Sequence, residues 1–173
     1  MAQPSPEFLC VCIASALLDH AHVERPPVPI REILRRPPPD LSLDLGLTES
    51  LPFGDAMWVR TLSGIGSVFA NPAVPEPQRR LAMARALFTG LCSSELGHTA
   101  GLPSPSDDRF QSLSQYFARC LLMPEHLLPD DWEALPPEQL AVQFVVPAEF
   151  ARERMDELRR NGQPAADAQP NDD

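Results

Sequence analysis

RRLAMARALFTGLC, residues 79–92, is the stretch of sequence that decides the fold of this chain. Its apolar residues recur at steps of three and four, the spacing that places side chains on one face of an α-helix. We therefore predict a helix over residues 78–92, which is the longest helical pattern and serves as the central helix of the domain. The apolar face of this helix consists of Leu81, Ala84, Leu87, Phe88 and Leu91.

Further helical patterns lie on both sides of the central helix. They predict helices over residues 8–22, 30–35 and 109–123, and two short helices within 135–160 that are separated at the sequence VVP. The helix over 109–123 is expected to bury one apolar face. That face consists of Phe110, Leu113, Phe117, Cys120 and Leu121.

Two segments have other patterns. In residues 41–71, Gly54, Gly64 and Gly66 separate β-prone pieces such as MWVRTL and GSVFA, which predict a small sheet with hairpin-like connections. Residues 93–108 are rich in serine, glycine, proline and aspartate and predict a surface loop. The chain is thus predicted to be an α+β protein, with a single domain over 8–161. A flexible N-terminus over 1–7 and a disordered acidic tail over 162–173 are expected to flank it.

Charge and composition restrict the class of protein. The formal net charge of -10 disfavours direct nucleic-acid binding, because phosphate contacts supply most of that affinity. Four scattered cysteines are too few for a disulfide scaffold and indicate a reducing compartment. The apolar run over 8–18 is too short to span a bilayer, and no basic segment precedes it. We expect a cytoplasmic protein without a membrane anchor.

The order of these pieces resembles a known family. The segment FARCLLMP, residues 117–124, and the closing LAVQFVVPAEFARERMDEL, which contains Arg154, are its most specific parts. Over residues 8–160 the chain is similar to the ImmA/IrrE (DUF955) family of bacterial metallopeptidase-like domains. The resemblance implies a zincin-like helical domain with a small β-sheet packed on the central helix.

Active members of that family carry the motif R-R-F-T-x-A-H-E-x-x-H on the central helix. Two histidines four residues apart hold Zn²⁺ with a third ligand, and the glutamate takes a proton from the bound water. Aligned on the paired arginines 79 and 80, the resemblance places Arg85 and Thr89 at the histidine positions and Ala86 at the glutamate position. Gln111 takes the position of the third ligand.

A second alignment uses the sequence SELGH, in which Ser94 stands at the first histidine and Glu95 and His98 are retained. It requires one helix to continue through several glycines, each of which costs about 1 kcal/mol relative to alanine. We therefore prefer the first alignment. The second leaves open a metal-dependent peptidase with an altered site around Glu95 and His98. A related arrangement would join His98 and His126 with acidic residues, namely Glu95 or Asp107 and Asp108.

In either alignment the family's zinc ligands are incomplete, and Arg85 would repel a dication. The sequence thus predicts no metal and no cofactor, and it favours a protein without catalytic activity over an enzyme. Arg85 either binds a carboxylate or phosphate group or belongs to a structural ion pair. The leading hypothesis is a pseudoenzyme that binds a protein, such as a helix-turn-helix transcriptional repressor or a second copy of itself. A purely structural subunit is a further hypothesis.

Overall fold

The computed structural model describes residues 4–39, 45–60 and 66–162, and it is an α+β fold. Two short 3-10 turns, Glu125–Leu127 and Trp132–Ala134, lie between the helix that ends at Leu122 and the helix that begins at Pro137. The α-helices of the described chain are α1 (Pro6–His20), α2 (Ile30–Arg35), α3 (Glu76–Cys92), α4 (Glu95–Ala100), α5 (Phe110–Leu122), α6 (Pro137–Phe144) and α7 (Ala148–Gly162).

A three-stranded sheet precedes α3 in the chain. Its strands are β1 (Leu45–Thr48), β2 (Ala56–Arg60) and β3 (Gly66–Ala70), and their spatial order is β1-β3-β2. Strand β3 is central because it pairs on both sides, parallel to β1 and antiparallel to β2. Strand β2 therefore forms one edge of the sheet, next to α3.

Helix α3 is the centre of the domain, with the sheet packed on one side and α5 on the other. The fully buried ring of Phe88 lies 5.6 Å from that of Phe110 and 5.2 Å from that of Phe117, measured between centroids. These aromatic contacts fix α3 against α5. Helix α1 covers the outer side of α5, and α6 packs on α7.

Arg80 links α3 to two distant segments. Its buried guanidinium donates to the carbonyl oxygens of Val28 (2.7 Å), Val145 (3.0 Å) and Phe144 (3.5 Å). Val145 ends α6 in the left-handed conformation, with φ of 54°, which is uncommon for a β-branched residue. Burial is the main cause of the lowered pKa of Arg80. The guanidinium group nevertheless stays charged at neutral pH. The arginine thus satisfies carbonyls at a helix C-terminus, where positive charge is favoured.

Trp58 of β2 occupies a slot between the sheet and α3. A Cβ atom built on Gly66 or on Gly90 would lie 2.7 Å from Trp58 Nε1 in each case. Because contacts this short do not occur, neither position accepts a larger residue while the indole is present. The indole is therefore held between the backbones of β3 and α3.

A charged cluster closes the N-terminal end of α3. Arg31 Nη1 donates to Glu76 Oε1 at 2.5 Å, and Arg79 binds the other carboxylate oxygen. The two guanidinium groups, that of Arg31 foremost, lower the pKa of Glu76 to about 2 from its ordinary value of 4.5. Glu76 therefore stays ionised through most of the acid range.

Most predicted segments are confirmed by these bounds. The helices lie within a few residues of the ranges given by the apolar periodicity, and the pieces MWVRTL and GSVFA contain β2 and β3. Helix α1 begins at Pro6, after the N-cap Ser5, and so includes two residues of the segment 1–7. The predicted tail falls almost wholly on 163–173, outside the described residues.

Two predictions are wrong. Strand β1 is parallel to β3, so that hairpin geometry holds only for the antiparallel pair β2 and β3, whose connection 61–65 lies outside the described residues. The segment predicted as a loop contains α4. Ser94 accepts a hydrogen bond from Gly97 N at 3.0 Å as the N-cap, and Gly101, with φ of 81°, ends the helix. Serine before and glycine after a short helix are its normal boundaries, which the composition of the segment concealed.

No helix in the described part of the chain has the length and apolar character needed to cross a membrane.

The packing of Trp58 predicts an unusual response to alanine in α3. Gly90→Ala should normally stabilise a helix by about 1 kcal/mol. Here we expect a loss of about 1–3 kcal/mol, because the new methyl group overlaps the indole. Urea denaturation measures the change. In a Trp58→Leu background the same substitution should cost less, and an equal cost in both backgrounds would contradict the slot.

The low pKa of Glu76 predicts a pH-dependent contribution to stability. Its carboxylate stabilises the fold above pH 4.5, and this contribution disappears as the pH falls towards about 2. Glu76→Gln should therefore lower the free energy of unfolding by about 1 kcal/mol at neutral pH, allowing for solvent screening. The deficit should vanish on acidification. Glu138→Gln, at a pair whose carboxylate is 61% exposed, is the matched control and should show no such trend.

Candidate functional site

A cavity of about 520 Å³ lies between β2, α3 and α5. Its volume falls within the range of roughly 300–1,000 Å³ that is typical of ligand sites. Ala82, Ala86 and Phe110 contribute apolar surface to it. The main polar lining residues are Asp55, Arg85, Thr89, Gln111 and Ser114.

The four positions that the first alignment assigns to an active site meet in this cavity. Arg85, Ala86 and Thr89 lie on one face of α3, and Gln111 lies in the first turn of α5 opposite them. The two helices bring these residues together because Phe88 fixes α3 on α5 one turn away. The fold therefore places all four positions in the lining of one open pocket.

Arg85 is the charged group of the cavity wall. Its Nη2 donates to Gln111 Oε1 at 2.8 Å, and its buried Nε has no acceptor among the described residues. No ion pair of the described chain includes Arg85. The structural ion pair considered for this arginine is thus not formed by these residues, and its fork retains free donors.

Thr89 and Gln111 complete the polar wall. Thr89 Oγ1 donates to the carbonyl oxygen of Arg85 at 3.1 Å, a contact within one turn of α3. Gln111 uses its carbonyl oxygen for Arg85, so that its amide NH₂ remains a donor at the exposed side of the cavity. The wall consequently offers hydrogen-bond donors in excess of acceptors.

The opposite wall was not identified from the sequence. It is formed by residues 54–58, at the start of β2, including Asp55 and Trp58. Glycine at positions 66 and 90 leaves room for the indole of Trp58, so that β2 can lie close to α3. Because those contacts join distant segments, no local pattern in the sequence shows them.

The four positions of the first alignment lack the chemistry of a zinc site. Arginine has no acceptor atom, threonine and glutamine are poor zinc ligands, and alanine has no functional group. Among the described residues, no group of three or more histidine, cysteine, aspartate or glutamate side chains is placed to hold a metal ion. What the wall can do is donate hydrogen bonds and attract an anion.

The residues of the second alignment lie elsewhere, on α4. Ser94 is buried and serves as the N-cap, and its hydroxyl donates to Leu91 O at 2.7 Å. Glu95 and His98 are exposed. Gly97 packs so closely on the end of α3 that an added Cβ would lie 2.1 Å from Leu91 O. The sequence SELGH is thus explained by a helix cap and a close backbone contact.

The other arrangement considered for a metal is not formed. His126 lines a separate cavity of about 570 Å³ between α1, α5 and α7, together with Glu125 and Arg154. His98, Asp107 and Asp108 do not line that cavity, and no metal-binding cluster unites them in the described chain.

The four cysteines are free thiols. Cys10, Cys92 and Cys120 are buried, whereas Cys12 is exposed. Burial raises the pKa of Cys10 and of Cys92 to about 12, so both stay protonated at neutral pH.

Comparisons of the chain with protein-family models, with curated proteins and with solved structures gave no match.

The two explanations of SELGH predict different mutational effects. If Ser94 is the N-cap of α4, Ser94→Ala should lower the free energy of unfolding by about 1 kcal/mol. His98→Ala, at an exposed position of α4, should leave the unfolding free energy unchanged within about 0.5 kcal/mol. Thermal denaturation of both variants checks this.

Zinc content measured by elemental analysis supplies the control. If SELGH held a metal, purified protein incubated with stoichiometric zinc would retain it, and His98→Ala would release it. Zinc retention that depends on His98 would contradict the explanation of SELGH by a helix cap alone. It would support a metal-dependent peptidase with a site around Glu95 and His98.

Proposed function

We propose that this chain is a non-catalytic protein-binding module, a pseudoenzyme related to the ImmA/IrrE metallopeptidases. The observation that carries the proposal is the convergence of Arg85, Ala86, Thr89 and Gln111 on one open cavity. These are the positions at which the family would hold zinc and its catalytic glutamate. The pocket is present, and the side chains in it suit binding rather than metal-assisted hydrolysis.

The edge of β2 supports a peptide as the ligand. Asn71 N donates to Asp55 O at 2.9 Å, and in an antiparallel pair every second residue turns its backbone groups to the partner. The alternation directs the backbone N–H and C=O of Ala56, Trp58 and Arg60 to the outer edge. Within the described chain no backbone hydrogen bond reaches them there.

An extended segment could therefore add to β2 as a further strand. Backbone hydrogen bonds would supply affinity, and side chains of the segment would enter the cavity that residues 54–58 line. This mode of binding needs no catalytic group. It also explains why an edge strand and a pocket occur side by side.

The resemblance to the family suggests the partner. Its active members act on helix-turn-helix transcriptional repressors, so we propose such a regulator or a second copy of this chain. A net charge of -10 favours contact with protein over direct contact with nucleic acid.

The proposal predicts that short peptides bind in the cavity. A random-peptide display library selected on the full chain should yield binders that fail to bind Ala82→Trp, in which the indole fills the cavity. Ala100→Trp, at a half-buried alanine of α4, is the matched control and should bind them normally. Circular dichroism shows whether both variants are folded.

A second readout does not depend on filling the cavity. Trp58 and Trp132 are the two tryptophans of the chain, so Trp132→Phe leaves Trp58 as the reporter in the cavity wall. Its emission should change when a selected peptide is added. Two results would contradict a protein-binding cavity. In the first, no peptide is enriched; in the second, the selected peptides bind Ala82→Trp normally and leave the emission of Trp58 unchanged.

A further inference from the structure

Arg85 differs from the other arginines that are withdrawn from solvent. Arg79 and Arg119 bind carboxylates, and the buried Arg80 donates to three carbonyl oxygens. Arg154 donates to Met123 O at 3.1 Å and pairs with Glu157. Arg85, by contrast, is half-buried and binds only the neutral amide of Gln111. Its charge is therefore uncompensated by the described residues that touch it.

The remaining donors of Arg85 suit a carboxylate. One N–H of Nη2 is engaged by Gln111, which leaves the second N–H of Nη2, both of Nη1 and the buried Nε–H. Two parallel N–H groups of a guanidinium match the two oxygens of a carboxylate in spacing and direction. Gln111 holds the guanidinium in place and presents its own amide NH₂ beside it.

Charge in the cavity favours a singly charged group over a doubly charged one. Arg85 is its one cation among the lining residues, and Asp55, on the opposite wall, is exposed and carries a negative charge. A phosphate would meet one positive and one negative group. A carboxylate requires only the single fork that Arg85 provides.

Building on the proposed function, we infer that the cavity recognises an acidic side chain, aspartate or glutamate, of an extended peptide segment, and that the Arg85–Gln111 pair binds its carboxylate. Strand β2 aligns the segment, and the position opposite Arg85 selects the acid. Asp55 opposes this selection and limits its strength, because like charges in one cavity repel.

The test uses peptides selected on the full chain from the random-peptide display library. We expect them to share an acidic residue, and replacing it with its amide isostere should weaken binding by about tenfold or more. Arg85→Gln should weaken the acidic peptide to the level of its isostere. Arg85→Lys, which keeps the charge and loses the fork, should restore only part of the difference.

Two further variants sharpen the result. Asp55→Asn should strengthen binding of the acidic peptide and leave the amide peptide unchanged. Arg152→Gln, at an exposed arginine paired with Glu138 outside the cavity, is the matched control and should change neither. All affinities are measured by calorimetry on variants with normal thermal unfolding.

The possible failures can be told apart. Selected peptides without an acidic residue, or with one that tolerates amidation and Arg85→Gln, would overturn the acidic preference and leave peptide binding intact. Inorganic phosphate that displaces the peptide far better than acetate would also overturn it. If no peptide is selected, the protein-binding function itself fails, and the inference fails with it.

Discussion

One buried guanidinium group connects the parts of this fold. The side chain of Arg80 extends from α3 and donates to carbonyl oxygens at the end of α6 and ahead of α2. These two segments lie more than fifty residues from Arg80 in the chain, one on each side. Without it, the carbonyl oxygens of Val145 and Phe144 would lose this donor, and a buried carbonyl left unsatisfied costs about 1–3 kcal/mol. Val28 O would keep its hydrogen bond from Ile30 N. The same guanidinium donates to the carbonyl oxygen of Val145, the residue that ends α6 in the left-handed conformation. The position of α3, and of the cavity on its other face, depends on this anchor.

Periodic segments were predictable, and long-range contacts were not. Helices α3 and α5 followed from apolar residues at three- and four-residue steps, since burying one face requires that spacing, and the residues expected to be buried on α5 are buried. Helix α4 was missed because its six residues are too few to show an apolar periodicity and its boundaries are set by Ser94 and Gly101. The parallel pairing of β1 depends on tertiary packing, which a short strand does not encode in its own residues.

The candidate site divides in the same way. The α3 and α5 positions could be named from a family resemblance, and they line one cavity. The β2 wall could not, because Trp58 reaches the cavity through two glycines in other elements. Nor does the sequence indicate that Arg85 would bind Gln111 instead of a carboxylate, since that choice depends on which side chains the helix pair brings into reach. Backbone geometry and side-chain chemistry are thus separable here: the first follows from packing, and the second is set residue by residue on top of it.

The indole of Trp58 also constrains how this chain can change over generations. A side chain at position 66 or 90 becomes tolerable only after the tryptophan has been replaced, and replacing the tryptophan first leaves a void between the sheet and α3. Each single step passes through a less stable protein, and only a combined change avoids it. Positions 58, 66 and 90 are therefore expected to change together in evolution. Other residues that line the cavity can change one at a time.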